Sequence, residues 1–366
     1  MQRHIFLILL IGSSLGSTNC LAQTPVVPPS AASNSTSSTK THEAASRLLD
    51  LGLLSTVKAT YVNAGMFLWP LKCDRDSNLY LRNLIDGVPG IHKLSSDGKQ
   101  LAVFQPDSAT PDLKIDVAGY FSVSTDGNVY QLIGPHEINR YLFVYKPDGN
   151  LRSYVKLATG FPWVPAQVAP FPSGDVLVTG LEYDHDRTNP VKWPYTAVFS
   201  STGAVLKEVR LEDDDTIHDM AAAGDARVVS PEAPTVNHAV GLGHMEAAND
   251  GNIYLMRRLS PAILYAISPK GEVVRRFTVD AGQPDYMPQS MHIAGNRIAV
   301  QFAHPQSDDQ LIKIVDLEGH ELVAYHVARD SPLGFALACY STNPERFTFL
   351  GVADDHTVTL NLAEPH

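Results

Sequence analysis

The sequence is poor in positive charge. Its 366 residues include 28 Lys and Arg against 39 Asp and Glu, which gives a formal net charge of −11. No basic cluster is larger than a pair such as Arg257-Arg258 or Arg275-Arg276. Because a surface that binds nucleic acid needs clustered cations to neutralise the phosphates, nucleic acid is disfavoured as a partner.

Membrane and catalytic signatures are also lacking. Beyond the N-terminal 22 residues, no segment approaches the roughly 20 apolar residues that a transmembrane helix needs, so no membrane-spanning segment is predicted. The same part of the chain has no Gly-x-Ser-x-Gly elbow, no nucleotide-binding loop, and no His-x-x-x-His or Cys-x-x-Cys pair. Motifs therefore give no support to a nucleophilic hydrolase or a nucleotide-dependent enzyme.

The N-terminus has the pattern of a secretory signal. Arg3 precedes an apolar run over residues 5–11, and small residues follow. We predict a signal peptide over residues 1–22 and a disordered spacer rich in Pro, Ser and Thr over residues 23–42. The mature protein is expected to be exported, periplasmic or extracellular. Cys20 leaves lipoprotein processing open as the less favoured alternative, because the residues before it match that processing poorly.

A phrase of two hairpin turns repeats about every fifty residues along the chain. Strand-like segments flank Asp-Gly-Asn in Val123–Tyr130 and in Ala248–Tyr254, and a second turn containing Pro-Asp-Gly or Pro-Lys-Gly follows each. The first turn position holds Ser77, Gly127, Gly174, Gly251, Gly295 and Glu345, and the second holds Gly98, Gly149, Gly203, Gly271 and Gly319. A repeated unit of four strands predicts an all-β chain, a six-bladed β-propeller with four-stranded antiparallel blades.

The sixth repeat ends before a fourth strand, and the N-terminal part of the chain offers a replacement. The alternating, β-branched segment Val57–Val62 is predicted to close the ring. Just before it, Glu43–Leu54 has a spacing of apolar residues that predicts a helix. The expected organisation is one propeller domain over residues 43–366 with an insertion at 212–243. That insertion is predicted to be an elaborated loop, and a degenerate seventh blade is the alternative.

Two cysteines remain after the predicted cleavage, Cys73 in the first repeat and Cys339 in the sixth. These repeats are neighbours only if the ring closes. A disulfide between them would then lock the seam in an oxidising compartment. Two buried free thiols are the alternative, and the sequence leaves both open.

Histidines recur in the loops that are expected to join second and third strands. His136, His185, His304 and His356 lie in such loops, and His238, His244 and His292 lie near the starts of repeats. Converging neutral imidazoles could hold Zn²⁺, with Glu137 or Glu246 as an oxygen ligand. The alternative is that they are polar loop residues. The acidic run 212–215 is a candidate for Ca²⁺ or, alternatively, a solvated loop.

Other polar and aromatic residues of the same loop face suit a polar ligand. Arginines there could neutralise a carboxylate or phosphate, and aromatic rings could form flat apolar walls. The candidates are Arg140, Arg258, Trp163, Tyr183, Trp193 and Tyr286. Arg258 is the one favoured for the mouth of the channel, because it leaves the second strand of a well-formed repeat.

The Asp-Gly-Asn-Val-Tyr and Pro-Asp-Gly-Asn-Leu phrases resemble those of the six-bladed propellers of the NHL and TolB-type group, over residues 57–362. That group includes gluconolactonases resembling regucalcin, lyases and many binding proteins, so the resemblance implies the fold more than an activity. It implies a metal-dependent lyase or lactone hydrolase as an alternative function. The peptidyl-glycine amidating lyases of this group use a set of histidines, for which His136, His244, His304 and His356 are the candidates in this sequence.

The leading prediction is an exported, monomeric propeller that binds a peptide, a glycan or a small polar ligand at the loop face of its channel, without evident catalysis. The metal-dependent lyase or lactone hydrolase is one alternative. An envelope protein-interaction scaffold is the other.

Overall fold

In the computed structural model of the protein, the described residues are 48–63, 69–85, 88–106, 117–134, 140–182, 193–222, 237–241, 243–307, 309–353 and 357–366. The predicted signal peptide and spacer lie outside them. The described residues form twenty-four β-strands and one α-helix, α1 (Asp214–Ala222). Within this part of the chain, no helix has both the length and the apolar character required to span a membrane.

Sixteen of the strands form four-stranded antiparallel sheets in which the strands are adjacent in chain order. The first contains β2 (Lys72–Cys73), β3 (Leu79–Ile85), β4 (Val88–Leu94) and β5 (Gln100–Phe104); the second contains β6 (Val117–Val123), β7 (Val129–Gly134), β8 (Tyr141–Tyr145) and β9 (Leu151–Lys156). The third contains β10 (Trp163–Pro170), β11 (Val176–Glu182), β12 (Trp193–Phe199) and β13 (Val205–Glu208); the fourth contains β14 (His244–Ala247), β15 (Ile253–Arg257), β16 (Ala262–Ile267) and β17 (Val273–Val279).

The remaining strands form one eight-stranded sheet. These strands are β1 (Leu48–Asn63), β18 (Met287–Ala294), β19 (Arg297–Ala303), β20 (Gln310–Asp316), β21 (Glu321–Val327), β22 (Ala336–Thr342), β23 (Glu345–Val352) and β24 (Thr357–Pro365). Their order is β18-β19-β20-β21-β1-β24-β23-β22. The first three residues of β1 pair in parallel with β21, and the rest of β1 pairs antiparallel with β24.

Strand β1 occupies part of the segment predicted to be helical, so that prediction was wrong there. It also contains the segment predicted to close the ring. Residues 48–54, part of the segment predicted to be helical, are extended and paired with β21 and β24. Pairing with two strand edges outweighs the weak local preference for helix, because both edges would otherwise be unsatisfied. Val57–Val62, the segment predicted to close the ring, lies in the same strand beside β24.

The first strands of the repeats surround an axis. We call β2, β6, β10, β14, β18 and β22 the inner strands. Each contacts the next one along the chain, and β22 contacts β2. The inner strands therefore enclose a central channel from which the sheets radiate, and the chain is an all-β propeller.

The predicted hairpin turns lie together at one end of the inner strands, which we call the Gly-turn end. Positive φ occurs at Gly98, Gly127, Gly149, Gly174, Gly203, Gly251, Gly271, Gly295 and Gly319, and Ser77 has φ 59°. These turns require the left-handed conformation that glycine adopts without steric cost. Glu345 differs, because it begins β23 and the sixth hairpin turns at Asn343 and Pro344.

The predicted insertion at 212–243 contains α1 and a short π-helical turn, Asn237–Gly241. Residues 223–236 and 242 of it lie outside the described residues. No strand occurs in the parts of the insertion that are described.

Candidate functional site

A cavity of about 300 Å³ lies where the inner strands reach their turns. We call it the lower cavity. Residues of β2, β6, β14, β18 and β22 line it, together with turn residues such as Ser77, Thr125, Asn249 and Asn343. It lies at the Gly-turn end, whereas the sequence predicts a ligand at the opposite, loop end. Parts of that predicted face, including residues 135–139 and 183–192, are not among the described residues.

Strand periodicity explains which side chains reach the channel. Alternate residues of a strand point to the same side, so Ser290 and His292 share one side of β18, and His244 and Glu246 share one side of β14. Lys72 of β2 contributes from the first sheet. Lys72, His244 and His292 are almost fully buried.

Lys72 and Glu246 form an ion pair across the channel. Lys72 Nζ lies 3.1 Å from Glu246 Oε1 and donates a second hydrogen bond, of 3.0 Å, to the carbonyl of Met245. The other carboxylate oxygen of Glu246 accepts a 2.8 Å bond from the backbone N–H of Ile293. Both charges are thus fixed by strands of different sheets, and both line the lower cavity.

His292 completes this group, which we call the channel triad: Lys72, Glu246 and His292. Its Nε2 lies 3.0 Å from the carbonyl of Leu337, and its Nδ1 lies 3.6 Å from Glu246 Oε1. Burial holds the pKa of His292 below its ordinary value, although Glu246 acts in the opposite direction. Nε2 bonded to a carbonyl must carry the proton, so the neutral ring presents the unprotonated Nδ1 beside the carboxylate.

His244 lies beside the triad, farther from the turns. Its ring meets that of His292 edge-on at a centroid distance of 6.4 Å. Burial, followed by the positive charges of Lys72 and Arg258, holds the pKa of His244 well below its ordinary value. His244 also lines a second cavity of about 10 Å³, hardly larger than one water, together with Tyr120, Gln167 and Lys72.

Arg258, the residue favoured for the channel mouth, directly follows β15. Its side chain contacts the beginning of inner strand β18. Its Nε donates to the carbonyl of Pro288 at 2.7 Å, and Nη2 donates to Gln289 Oε1 at 2.9 Å. Because inner strands begin at the end opposite their turns, Arg258 is at the loop end of the channel. The positive charge of Arg258 acts to lower the pKa of His244. The Arg258 side chain does not line the lower cavity.

The three aromatic candidates within the described residues do not form one wall. Trp163 is buried, stacked on Phe199 at 5.4 Å, and Tyr286 is buried with Met291 and Phe302 in an apolar cluster. Both rings fill the core, which leaves them little surface for a ligand. Trp193 is 40% exposed and stacks on His218 of α1. Arg140 is half-buried and does not line the lower cavity, and Tyr183 lies outside the described residues.

Of the histidine candidates, only His244 and His304 are among the described residues, and they lie in different parts of the fold. His304 is at a turn, where its Nδ1 accepts hydrogen bonds from the backbone of Gln306 and Ser307 at 3.1 and 3.0 Å. His244 is in the channel. His136, His185 and His356, with Glu137, lie outside the described residues.

Zn²⁺ and Ca²⁺ each require several nitrogen, sulfur or oxygen ligands that converge on one point. In the described segments no group of three or more His, Cys, Asp or Glu side chains is arranged to hold a metal ion. In the channel, Glu246 lies beside His292, and there the Lys72 ammonium already takes the position of a cation. The described channel residues therefore do not fit a metal site.

The acidic run 212–215 is divided between solvent and core, because Glu212 and Asp215 are exposed whereas Asp213 and Asp214 are buried. Asp214 Oδ1 lies 2.6 Å from Nη2 of the fully buried Arg257, and Asp213 Oδ2 lies 3.6 Å from Arg257 Nε. Asp213 also accepts a hydrogen bond from the Tyr265 hydroxyl. Asp215 pairs with Arg210 on the surface. The run anchors the start of α1 to the neighbouring sheet.

Cys73 of β2 and Cys339 of β22 form a disulfide, with Cα atoms 5.7 Å apart. It joins the first and last inner strands, and Cys73 lines the lower cavity. The Cα separation is within the range that such bonds require.

Sequence reasoning named Glu246, His244 and His292 but missed Lys72. Its only sequence signal is a charged residue next to Cys73 in an otherwise apolar strand start. That signal becomes meaningful only when β14 and β18 are known to lie beside β2.

No family model and no curated protein matches the chain. Among solved structures, it is similar to regucalcin, a calcium-binding protein from Agrobacterium tumefaciens, at 12% identity over 85% of this chain and 94% of that one, with a TM-score of 0.46. A putative gluconolactonase is 11% identical over 87% and 95% of the two chains, with a TM-score of 0.45. A luciferin-regenerating enzyme is 10% identical over 84% and 94%, with a TM-score of 0.49. Such values carry no argument about activity.

Proposed function

We propose that the chain is an exported six-bladed β-propeller that binds a small, hydroxyl-bearing polar ligand in the lower cavity. Sugars, sugar acids and polyols are the ligand classes with the matching chemistry. The protein acts as a monomer, and its fold group is the NHL and TolB-type propellers that its hairpin phrases resemble.

The proposed count of six blades is supported by dividing the eight-stranded sheet in two. Strands β18 to β21 make one blade, and β22, β23, β24 and β1 make the last. In this division β1 is the outer strand of the last blade, and its first residues add to the edge of the blade before it. Each of the six blades then contributes one inner strand to the ring.

The channel triad is the observation that carries the ligand proposal. Burying Lys72 and Glu246 costs desolvation energy that an apolar pair of similar size would avoid. A polar network at the base of an accessible cavity is therefore better explained by binding than by stability. The ammonium donates to ligand oxygens, and the carboxylate and the Nδ1 of His292 accept from ligand hydroxyls.

The remaining lining of the lower cavity suits the same ligand. Hydroxyl-bearing side chains are part of its lining, namely Ser77, Ser122, Ser124, Thr125, Ser341 and Thr342. Hydroxyls can both donate and accept, which matches a ligand with several hydroxyl groups. A volume of about 300 Å³ is at the lower limit of small-molecule sites, so the ligand is of about monosaccharide size.

The test is a ligand screen followed by titration. Thermal-shift measurements on the purified protein against monosaccharides, sugar acids, polyols and amino acids should select hydroxylated compounds, and calorimetry should give a stoichiometry of one. Glu246→Gln keeps the shape and the acceptor for Ile293 N–H but removes the charge, and we expect at least about tenfold weaker binding.

Two further variants complete this experiment. Ser122→Ala removes one buried cavity hydroxyl and should weaken binding by a smaller factor. Glu272→Gln makes the same charge change on an exposed turn and should leave binding unchanged. Equal affinities for wild type, Glu246→Gln and Ser122→Ala would contradict the proposal.

Export is tested separately by the intact mass of the mature protein. Cleavage after Ala22 agrees with a signal peptide. A lipid-modified N-terminus at Cys20 would instead favour an anchored envelope protein.

A further inference from the structure

The shortest inner strand carries the lysine of the channel triad. Strand β2 consists of Lys72 and Cys73, which pair with Tyr80 and Leu79 of β3. The other inner strands contain four to eight residues. Because each paired residue fixes a further part of a strand, the ladder with β3 constrains β2 less than the longer ladders constrain the other inner strands.

The two side chains of β2 bond to two other sheets. Lys72 reaches β14, where its ammonium pairs with Glu246 and donates to the carbonyl of Met245. Cys73 is bonded to Cys339 of β22, with the two Cα atoms 5.7 Å apart. Lys72 and Cys73 both line the lower cavity. The disulfide is therefore one residue away from the ammonium of the proposed ligand site.

Together with two contacts of the channel triad, these bonds form a closed ring through four inner strands, which we call the contact ring. Lys72 joins β2 to β14. Glu246 of β14 accepts the 2.8 Å hydrogen bond from the N–H of Ile293 in β18. The Nε2 of His292 in β18 lies 3.0 Å from the carbonyl of Leu337 in β22. The disulfide then joins β22 to β2.

The disulfide is the covalent link of the contact ring. The other three links are hydrogen bonds or ion pairs, which open in local fluctuations of the folded protein. Closing a ring raises the effective concentration of each pair of partners, so every link supports the others. Loss of the disulfide should therefore release β2 from β22 and weaken the pairing of Lys72 with Glu246 across the channel.

We propose that the Cys73–Cys339 disulfide is a positioning element of the lower cavity, because it holds the Lys72 ammonium beside Glu246. The cavity is then complete only in the oxidised protein, in a compartment of the kind that the proposed export supplies. The role of the disulfide in binding rests on the ligand site proposed for the lower cavity. The position of Lys72 can be measured without a ligand, so failure of this role and failure of the ligand screen are distinguishable.

The experiment is trace labelling of the folded mature protein with acetic anhydride, followed by mass spectrometry of its peptides. In the wild type, the buried and ion-paired Lys72 should react far more slowly than the exposed Lys146 and Lys270. In the double variant Cys73→Ser, Cys339→Ser, the labelling rate of Lys72 should rise at least about tenfold, whereas the exposed lysines should keep their rates. An unchanged rate at Lys72 overturns the proposal.

A general loss of stability is distinguished by the control variant Gly203→Ala. This substitution strains a turn of the third sheet, where a Cβ would clash with the carbonyl oxygen of Lys156, and it changes none of the residues of the contact ring. The labelling rate of Lys72 in this variant should match that of the wild type. A rise equal to that in the double variant would mean that the disulfide acts through global stability alone, and it would refute the positioning role.

A reciprocal measurement applies if the double variant does not fold. Where an ion pair and a disulfide support each other, weakening the pair must make the disulfide easier to reduce. Glu246→Gln should therefore be half-reduced at a ratio of reduced to oxidised dithiothreitol at least about threefold lower than the wild type requires. Glu272→Gln makes the same charge change on an exposed turn and should match the wild type. Equal ratios for Glu246→Gln and the wild type would also overturn the proposal.

Discussion

Among single residues, the most consequential are buried charges whose partners come from a different sheet or helix. Arg257 is fully buried in β15, and its partners Asp213 and Asp214 come from the start of α1. Arg210 and Asp215, a few residues away, form an ion pair of similar length on the surface. The two pairs differ mainly in their access to water.

That difference predicts unequal costs of mutation. Arg257→Met should lower the free energy of unfolding by about 3–5 kcal/mol, because it leaves two buried carboxylates without their cation. Arg210→Met, the matched control, should cost less than about 1 kcal/mol, because its partner is solvated. Urea unfolding of both variants measures this. Similar losses in the two variants would mean that the buried pair does not hold the helix to the sheet.

The channel histidines predict a loss of stability in mild acid. Burial lowers the folded-state pKa of His244 and His292, so the unfolded chain binds more protons and the stability they contribute is present above about pH 6.5. As the pH falls below that value, each should reduce the free energy of unfolding by at most about 1.4 kcal/mol per pH unit. Glu246 opposes this for His292, whereas Lys72 and Arg258 reinforce it for His244.

Urea unfolding at pH 7.5 and 5.5 tests this effect. His244→Gln and His292→Gln should each have a shallower pH dependence than wild type. His366→Gln, at the exposed C-terminus, is the control and should keep the wild-type slope. If both channel variants kept the pH dependence of the wild type, the two buried histidines would not be the cause of the loss of stability in acid.

The functional candidates show where residue-level sequence reasoning stops. Trp163 and Tyr286 have the residue types of a ligand wall, but their neighbours Phe199 and Met291 make them part of the core. Lys72 has no motif at all. Its role depends on Glu246, 174 positions away along the chain, and only closure of the ring brings them together.

Among the structural elements, hairpins are the part most predictable from sequence. The Asp-Gly and Lys-Gly turns are specified locally, because φ above zero is needed within the turn itself. The helix predicted over Glu43–Leu54 was wrong for residues 48–54, because their strand is stabilised by β21 and β24 from the far end of the chain. Local pattern cannot report such a distant partner.

Two hairpin glycines with the same conformation predict different costs. Gly203 and Gly174 have φ of 85° and 89°. A Cβ at Gly203 would lie 2.1 Å from the carbonyl oxygen of Lys156, whereas a Cβ at Gly174 meets nothing within 4 Å. Gly174→Ala should therefore cost about 1–2 kcal/mol of unfolding free energy from backbone strain alone.

Gly203→Ala should cost at least about 1 kcal/mol more than Gly174→Ala, because the turn must also move away from the outer strand of the neighbouring sheet. Thermal or urea unfolding of the two variants provides the comparison. Equal costs would mean that the turn of β12 and β13 does not pack on β9 as described.

For the molecule as a whole, the seam between first and last repeats is closed twice. At the outside, β1 joins β21 and β24 in one continuous sheet. At the inside, the disulfide joins β2 to β22 across a sequence separation of 266. Both devices tie the N-terminal part of the folded chain to its C-terminal part.

Removal of the disulfide between Cys73 and Cys339 should lower the free energy of unfolding of the whole propeller. The double variant Cys73→Ser, Cys339→Ser should lose about 2–5 kcal/mol of unfolding free energy. Reductant should lower the melting temperature of the wild type toward that of the double variant and leave the double variant unchanged. A wild type whose melting temperature is the same with and without reductant would show that the cysteines do not close the ring in solution.

The most direct test of the central claim is a crystal structure of the protein with the strongest hydroxylated ligand from the screen. We predict electron density for one ligand in the lower cavity, with its oxygens within hydrogen-bond distance of Lys72 Nζ and a carboxylate oxygen of Glu246. Density for that ligand at the loop end or on the outer surface, with the lower cavity holding only water, would contradict the claim.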